Sequence, residues 1–191
     1  MIQKALLHVF SFLLSKLSLN SVHTIGIFVG KLYVFFRKKN YKFLRDNIQN
    51  SKIFEYSSIE DAIKENINEL GKGIIETFYL WGSSQDQSLK LIRNIIGKKY
   101  LINAEKRGKG IIFLTPHLGC FEITSIYYGS KKPITVMYRK ARKIWMSDFM
   151  INGRKKGKVI PAPADFKGLK RVLFALNNGE AVGILPDQVA D

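Results

Sequence analysis

Apolar residues crowd the first 36 positions, thin out over the next twenty, and return after residue 97 as short runs set between glycines and charges. Residues 5–15 are apolar apart from His8, Ser11 and Ser15, and lead to Lys16. A second apolar stretch reaches Gly30, broken by small polar residues and His23, and Leu32–Phe36 follow Lys31. Neither uninterrupted run has the roughly 20 residues a spanning helix needs. Together they can span with Lys16 and Lys31 snorkelling, lie in the interface, or form a buried helical hairpin. No small-residue cleavage site of a secretory signal follows them. From Lys31 to Arg45 there are six cations and no acid, a pattern that suits the cytoplasmic side of a membrane.

The rest of the chain changes period. Ile59, Ile63, Ile67, Leu70, Ile74 and Phe78 recur at helical spacing, and Ser57 with Glu60 forms a capping-box pattern, so a helix is predicted over 57–81. Strands are predicted at Gly110–Leu114, Pro133–Tyr138 and Ala181–Leu185, with helical periodicity around 120–129, 141–152 and 166–178. Such alternation argues an α/β domain with a largely parallel mixed sheet flanked by helices. The expected division is an N-terminal membrane anchor or interfacial segment over 1–40 and an α/β domain over 41–191. In such sheets ligands bind beyond the carboxyl ends of the strands.

Charge narrows the class of partner. The chain has 191 residues, 46% hydrophobic and 24% charged, enough to bury a core. Lys and Arg number 31 against 15 Asp and Glu, a net +16, which calls for a polyanionic partner. One cysteine excludes an intramolecular disulfide, and three scattered histidines argue against a His/Cys zinc site, so no metal is expected. Residues 131–158 hold ten cations and one acid, Asp148. Most of these lysines suit a solvated face. Arg139, at a predicted strand end, and Arg154, opening a basic turn, are candidates to clamp phosphate or steady developing negative charge. A basic nucleic-acid-binding module explains the charge, but not the apolar N-terminus.

Candidate chemistry sits at two predicted strand ends. The first continues as Thr115-Pro116-His117-Leu118-Gly119-Cys120-Phe121-Glu122. On one continuous helix, residues five apart point about 140° from each other, so His117 and Glu122 meet only if His117 lies in a turn before the helix. Pro116 and Gly119 permit that turn. A carboxylate on one imidazole nitrogen fixes the tautomer and leaves the other nitrogen as a base. A structural histidine, satisfied near a strand end, is the competing reading. Cys120, between Gly and Phe, reads as a small packing group before it reads as a nucleophile. The other strand end continues as Leu185-Pro186-Asp187-Gln188, which faces the same edge as His117 or serves as a turn.

These residues together resemble the lipid A biosynthesis acyltransferases (lauroyl and myristoyl) of the lysophospholipid acyltransferase superfamily. The likeness rests on Thr-Pro-His117 with Glu122 five residues on, Tyr138-Arg139, the Arg154–Gly157 stretch, and Leu185-Pro186-Asp187-Gln188. Glu122 rather than Asp, and no Glu-Gly-Thr-Arg block, set the chain apart from the glycerolipid branch; a phospholipid or other glycolipid acyltransferase is the sibling alternative.

The resemblance implies transfer of a fatty acyl chain from acyl carrier protein to a hydroxyl of a phosphorylated glycolipid, at the cytoplasmic face of the inner membrane. It implies no bound cofactor and no nucleic-acid partner. His117 would act as general base oriented by Glu122, and Arg139 and Arg154 would bind the acceptor phosphate. Asp187 would hold an arginine in place, and Gln188 would join it in the substrate site. Family members usually run well past the Asp-Gln motif, which implies a C-terminally truncated chain lacking part of the acyl-binding wall.

Overall fold

A computed structural model describes residues 2–51 and 58–187, the Lys38 side chain excepted. The helical first half comprises α1 (Ile2–Leu14), α2 (Leu19–Phe36), α3 (Lys38–Ser51), α4 (Ile59–Gly82), α5 (Gln85–Leu89) and α6 (Lys98–Lys106). Then strands and helices alternate: β1 (Ile111–Leu114), α7 (Glu122–Gly129), β2 (Ile134–Tyr138), α8 (Ile144–Arg154), β3 (Val159–Pro163), α9 (Phe166–Asn177) and β4 (Ala181–Ile184). The expected α/β class holds. The sheet order is β1-β4-β2-β3, and every pairing among the described residues is parallel.

Helices cover both faces, as a parallel sheet requires. On one face Tyr128 of α7 packs with Ile134, Val136, Val159 and Ala181, and Ile111 and Phe113 close the edge. On the other, Val172 and Ala175 of α9 pack on Val182, with Met137 and Ile184 beside them. The β3 strand is not legible in the pattern, because Pro161 and Pro163 interrupt it. It is an edge strand, where a missing N–H leaves no ladder partner stranded.

The chain forms two compact units: residues 1–15 with 80–191, and residues 16–79. Helix α1 belongs to the sheet-bearing unit because it packs on α8: His8 meets Phe149 edge-on at 5.0 Å, and Lys4 pairs with Asp148 at 3.3 Å. Phe149, 2% exposed, also meets the Trp81 ring at 5.4 Å.

In the helical unit, Ile63, Ile67, Gly71, Ile75 and Tyr79 form the buried row of α4, while Leu70, expected on the core face, is exposed. A Cβ on Gly71 would collide with the Gly26 carbonyl of α2, so the two backbones touch where neither residue has a side chain. His23 Nε2 lies 2.6 Å from Glu76 Oε1. The expected cap residue Ser57 lies outside the described residues; the Ser58 hydroxyl accepts from the Asp61 amide at 3.1 Å. Helix α2 is long and apolar enough to cross a membrane, with 17% of it buried.

Removing the Phe149 ring takes away the contact shared by α1, Trp81 and α8. Phe149→Ala should cost about 3–5 kcal/mol of unfolding free energy, read from the urea midpoint. An unchanged midpoint would show that other contacts hold α1.

Candidate active site

Strands β1 and β4 are neighbours in register, Leu114 opposite Ile184. The pairing extends one step further, with the Thr115 amide donating to the Ile184 carbonyl at 3.0 Å. His117 lies three residues past Leu114 and Asp187 three residues past Ile184, so parallel pairing alone delivers them side by side. The His117 amide donates to Asp187 Oδ2 at 2.7 Å, and His117 Nδ1 lies 2.8 Å from Asp187 Oδ1. One carboxylate thus holds both the backbone and the ring of a single histidine.

Those two hydrogen bonds, the amide's first and the ring's second, hold the Asp187 carboxyl below the usual aspartate range. An ionised carboxylate only accepts, so Nδ1 must donate, and in the neutral ring Nε2 keeps its lone pair. Phe121 packs edge-on against the imidazole at 4.9 Å. Gly119, at φ +56, supplies the left-handed step that lets the chain turn between His117 and α7.

Glu122 has a different partner. It is the first residue of α7, 4% exposed, and its Oε1 accepts from Arg154 Nε at 2.8 Å and Nη2 at 2.5 Å. Arg154 ends α8, is 12% exposed, and lies 5.6 Å from the Trp81 ring. A buried carboxylate needs such compensation, and the position at a helix N-terminus favours it further. The His117–Glu122 pair expected from spacing is therefore not formed: each residue is engaged elsewhere. Asp187, expected to steady an arginine, instead steadies the histidine, and Glu122 steadies Arg154.

A cavity of about 370 Å³ opens at this edge of the sheet. His117, Arg139 and Arg154 line it together with Phe121, Met137, Met150 and Leu185. A smaller pocket, lined by Thr115, Phe121, Glu122 and Arg154, adjoins it through shared residues. The structure thus gathers His117, Arg139 and Arg154 around one space, places Asp187 behind the histidine, and sets Glu122 beneath Arg154. Gln188 lies outside the described residues. Cys120 is half-buried and does not line the cavity. No group of three or more His, Cys, Asp or Glu side chains suited to a metal occurs among the described residues.

A base, two arginines and apolar walls at the carboxyl ends of parallel strands fit acyl chemistry on an anionic substrate. The model of a family described as bacterial lipid A biosynthesis acyltransferase matches residues 2–191. The chain belongs to that family. Membership gives it an acyltransferase role. No curated protein sequence matches the chain.

Two measurements probe the site's two carboxylates. Glu122→Ala strands Arg154 without its partner in a nearly dry setting and should cost about 3–5 kcal/mol in urea unfolding; a shift no larger than that of an ordinary surface substitution would show that water replaces the pair. The Asp187 pairing supports the fold above the unfolded carboxyl value of about 3.9 and is lost as pH falls through the lower folded value. Between about pH 5 and about pH 3, the wild type should therefore lose more stability than Asp187→Asn. Parallel losses would show that the carboxylate has no special tie to His117.

Proposed function

We propose that this chain moves a fatty acyl group from an acyl carrier protein thioester to a hydroxyl of a phosphorylated glucosamine lipid, at the cytoplasmic face of the inner membrane. The observation that carries the reading is the His117–Asp187 pair at a cavity that also holds two arginines and apolar walls. His117 Nε2 takes the acceptor hydroxyl proton as the oxygen attacks the thioester carbonyl carbon. The C–S bond then breaks, the imidazolium returns its proton to the departing thiolate, and ester and free thiol leave. Asp187 orients the ring and stabilises the imidazolium that forms between the two steps.

Arg139 and Arg154 supply positive charge for the acceptor phosphate and for the oxyanion of the tetrahedral intermediate. Arg154 serves this well because Glu122 and Trp81 fix its guanidinium before substrate arrives. Phe121, Met137, Met150 and Leu185 give an acyl chain an apolar wall. The excess of cations suits an acidic carrier protein and an anionic bilayer. The exposed apolar helix α2 supports membrane attachment.

Incubation with an acyl carrier protein thioester and a tetra-acylated lipid A precursor should yield a lipid heavier by one acyl group. His117→Ala should abolish that product while leaving the unfolding midpoint near wild type. Asp187→Asn should lower kcat by roughly 10²- to 10⁴-fold with KM little changed, as expected when the base loses its tautomer and orientation. Cys120→Ser should retain turnover. Full turnover in His117→Ala would remove the base assignment, and acylation of phospholipid in place of the glycolipid would reassign the acceptor.

A further inference from the structure

Three loops leave the carboxyl edge of the sheet around the cavity, and each holds a bulky apolar side chain in water. Leu118 beside His117 is 80% exposed, Ile144 at the start of α8 is 82% exposed, and Phe166 at the start of α9 is 72% exposed. They follow β1, β2 and β3 respectively, so parallel strands place all three at one edge. Arg139 and Ala164, from the second and third of these loops, line the same cavity as His117. The three tips therefore stand on the edge of the sheet at which the cavity opens, on loops that supply its lining. Helix α1 adds a stripe in the same compact unit: Ile2, Leu6, Val9 and Leu13, spaced four, three and four apart, are all exposed. Its other side packs on α8 near Ile144, through Lys4–Asp148 and His8–Phe149.

Charge at this edge is one-sided. Arg142 and Lys143 stand in the loop before α8, and Lys167, Lys170 and Arg171 occupy the first turns of α9. The neighbouring acids are engaged: Asp165 with Lys140 at 2.8 Å, Asp148 with Lys4, and Asp187 with His117. Lys170 Nζ lies 4.5 Å from the Phe166 ring, so cation and apolar body share one spot. Bulky tips on separate loops would each need a matching socket on a rigid protein partner, whereas a bilayer accepts each at its own depth. Lysines and arginines around such tips meet the phosphates of anionic lipids.

We infer that the loop rim formed by Leu118, Ile144 and Phe166 inserts into the surface of an anionic bilayer, so that the cavity opens into the headgroup layer. A lipid acceptor then enters without leaving the membrane; that consequence, though not the insertion itself, rests on the transferase reading above. The rim is an attachment additional to the N-terminal helices, and it sets which edge of the sheet faces lipid.

The test uses the full chain carrying Cys120→Ser, with a single new cysteine at Leu118→Cys, Ile144→Cys or Phe166→Cys bearing an environment-sensitive dye. Asn178→Cys, exposed at the opposite edge of the sheet, is the reference. With phosphatidylethanolamine–phosphatidylglycerol vesicles, the three tip positions should shift to the blue and brighten several-fold, with quenching by brominated lipid. The Asn178 position should stay unchanged. The response should weaken in high salt and on phosphatidylcholine vesicles. Silent tips on protein that nonetheless co-sediments with the vesicles would overturn the inference. So would tips that respond to acyl carrier protein alone, which would make the rim a protein-docking surface. The dye response needs no turnover: His117→Ala should keep it, so responding tips without product sink the transferase reading alone, and product in detergent with silent tips sinks the insertion alone.

Discussion

Parallel pairing of β1 with β4 is the constraint on which the site depends. Because Leu114 stands opposite Ile184, chain segments of equal length beyond the two strands bring His117 and Asp187 to the same place. A slip of one residue would move every side chain of β1 to the other face and part the pair. What prevents the slip is burial: Ile111 and Phe113 pack on the α7 face, and Val182, fully buried, on the α9 face. The geometry of the site is thus set by the hydrophobic alternation of two short strands, at a distance from the histidine and the carboxylate themselves.

The two carboxylates divide along a line of solvent access. Glu122 is buried, and a lone charge there would be costly to desolvate, so its engagement with Arg154 is a condition of folding that also fixes an arginine in the cavity wall. Asp187 is about a third exposed, so its desolvation is modest and its hydrogen bonds to His117 set its charge state. A carboxylate whose one oxygen already accepts two hydrogen bonds from a buried arginine is poorly suited to follow a ring that gains and loses a proton. A half-solvated one can stabilise imidazolium and imidazole in turn. The arrangement assigns stiffness to Glu122 and response to Asp187.

Local pattern carried much of this fold. The strands at 111–114, 134–138 and 181–184 and the helices that follow the first two stand in the sequence as short apolar runs and 3.6-residue periods. The carboxyl-edge location of the chemistry followed from the α/β class alone, and His117, Arg139, Arg154 and Asp187 do gather there. Partner choice did not follow. Spacing along the chain relates His117 to Glu122, whereas the observed pairs, 117 with 187 and 122 with 154, depend on which strands and helices become neighbours. Counted from the predicted strand ends, Leu114 and Leu185, the offsets of His117 and Asp187 differ by one residue; they become equal only with β4 ending at Ile184 and paired with β1. The proline-bearing β3 escaped for a simpler reason: residue composition there argues against a strand, and its edge position tolerates the prolines.

Charge placement completes the logic. A cavity holding Arg139 and Arg154 favours an anion, yet the same field disfavours further positive charge placed beside it. Asp187 places a compensating negative charge at the His117 ring itself, at hydrogen-bond distance. Glu122 contributes the other half by cancelling much of Arg154's charge toward the protein while leaving the guanidinium at the cavity wall. With both carboxylates in place, fixed positive charge at the cavity wall and negative charge behind the histidine stand in one site. Without Glu122 the Arg154 guanidinium would lose its anchor, and without Asp187 the ring would lose its neighbouring negative charge.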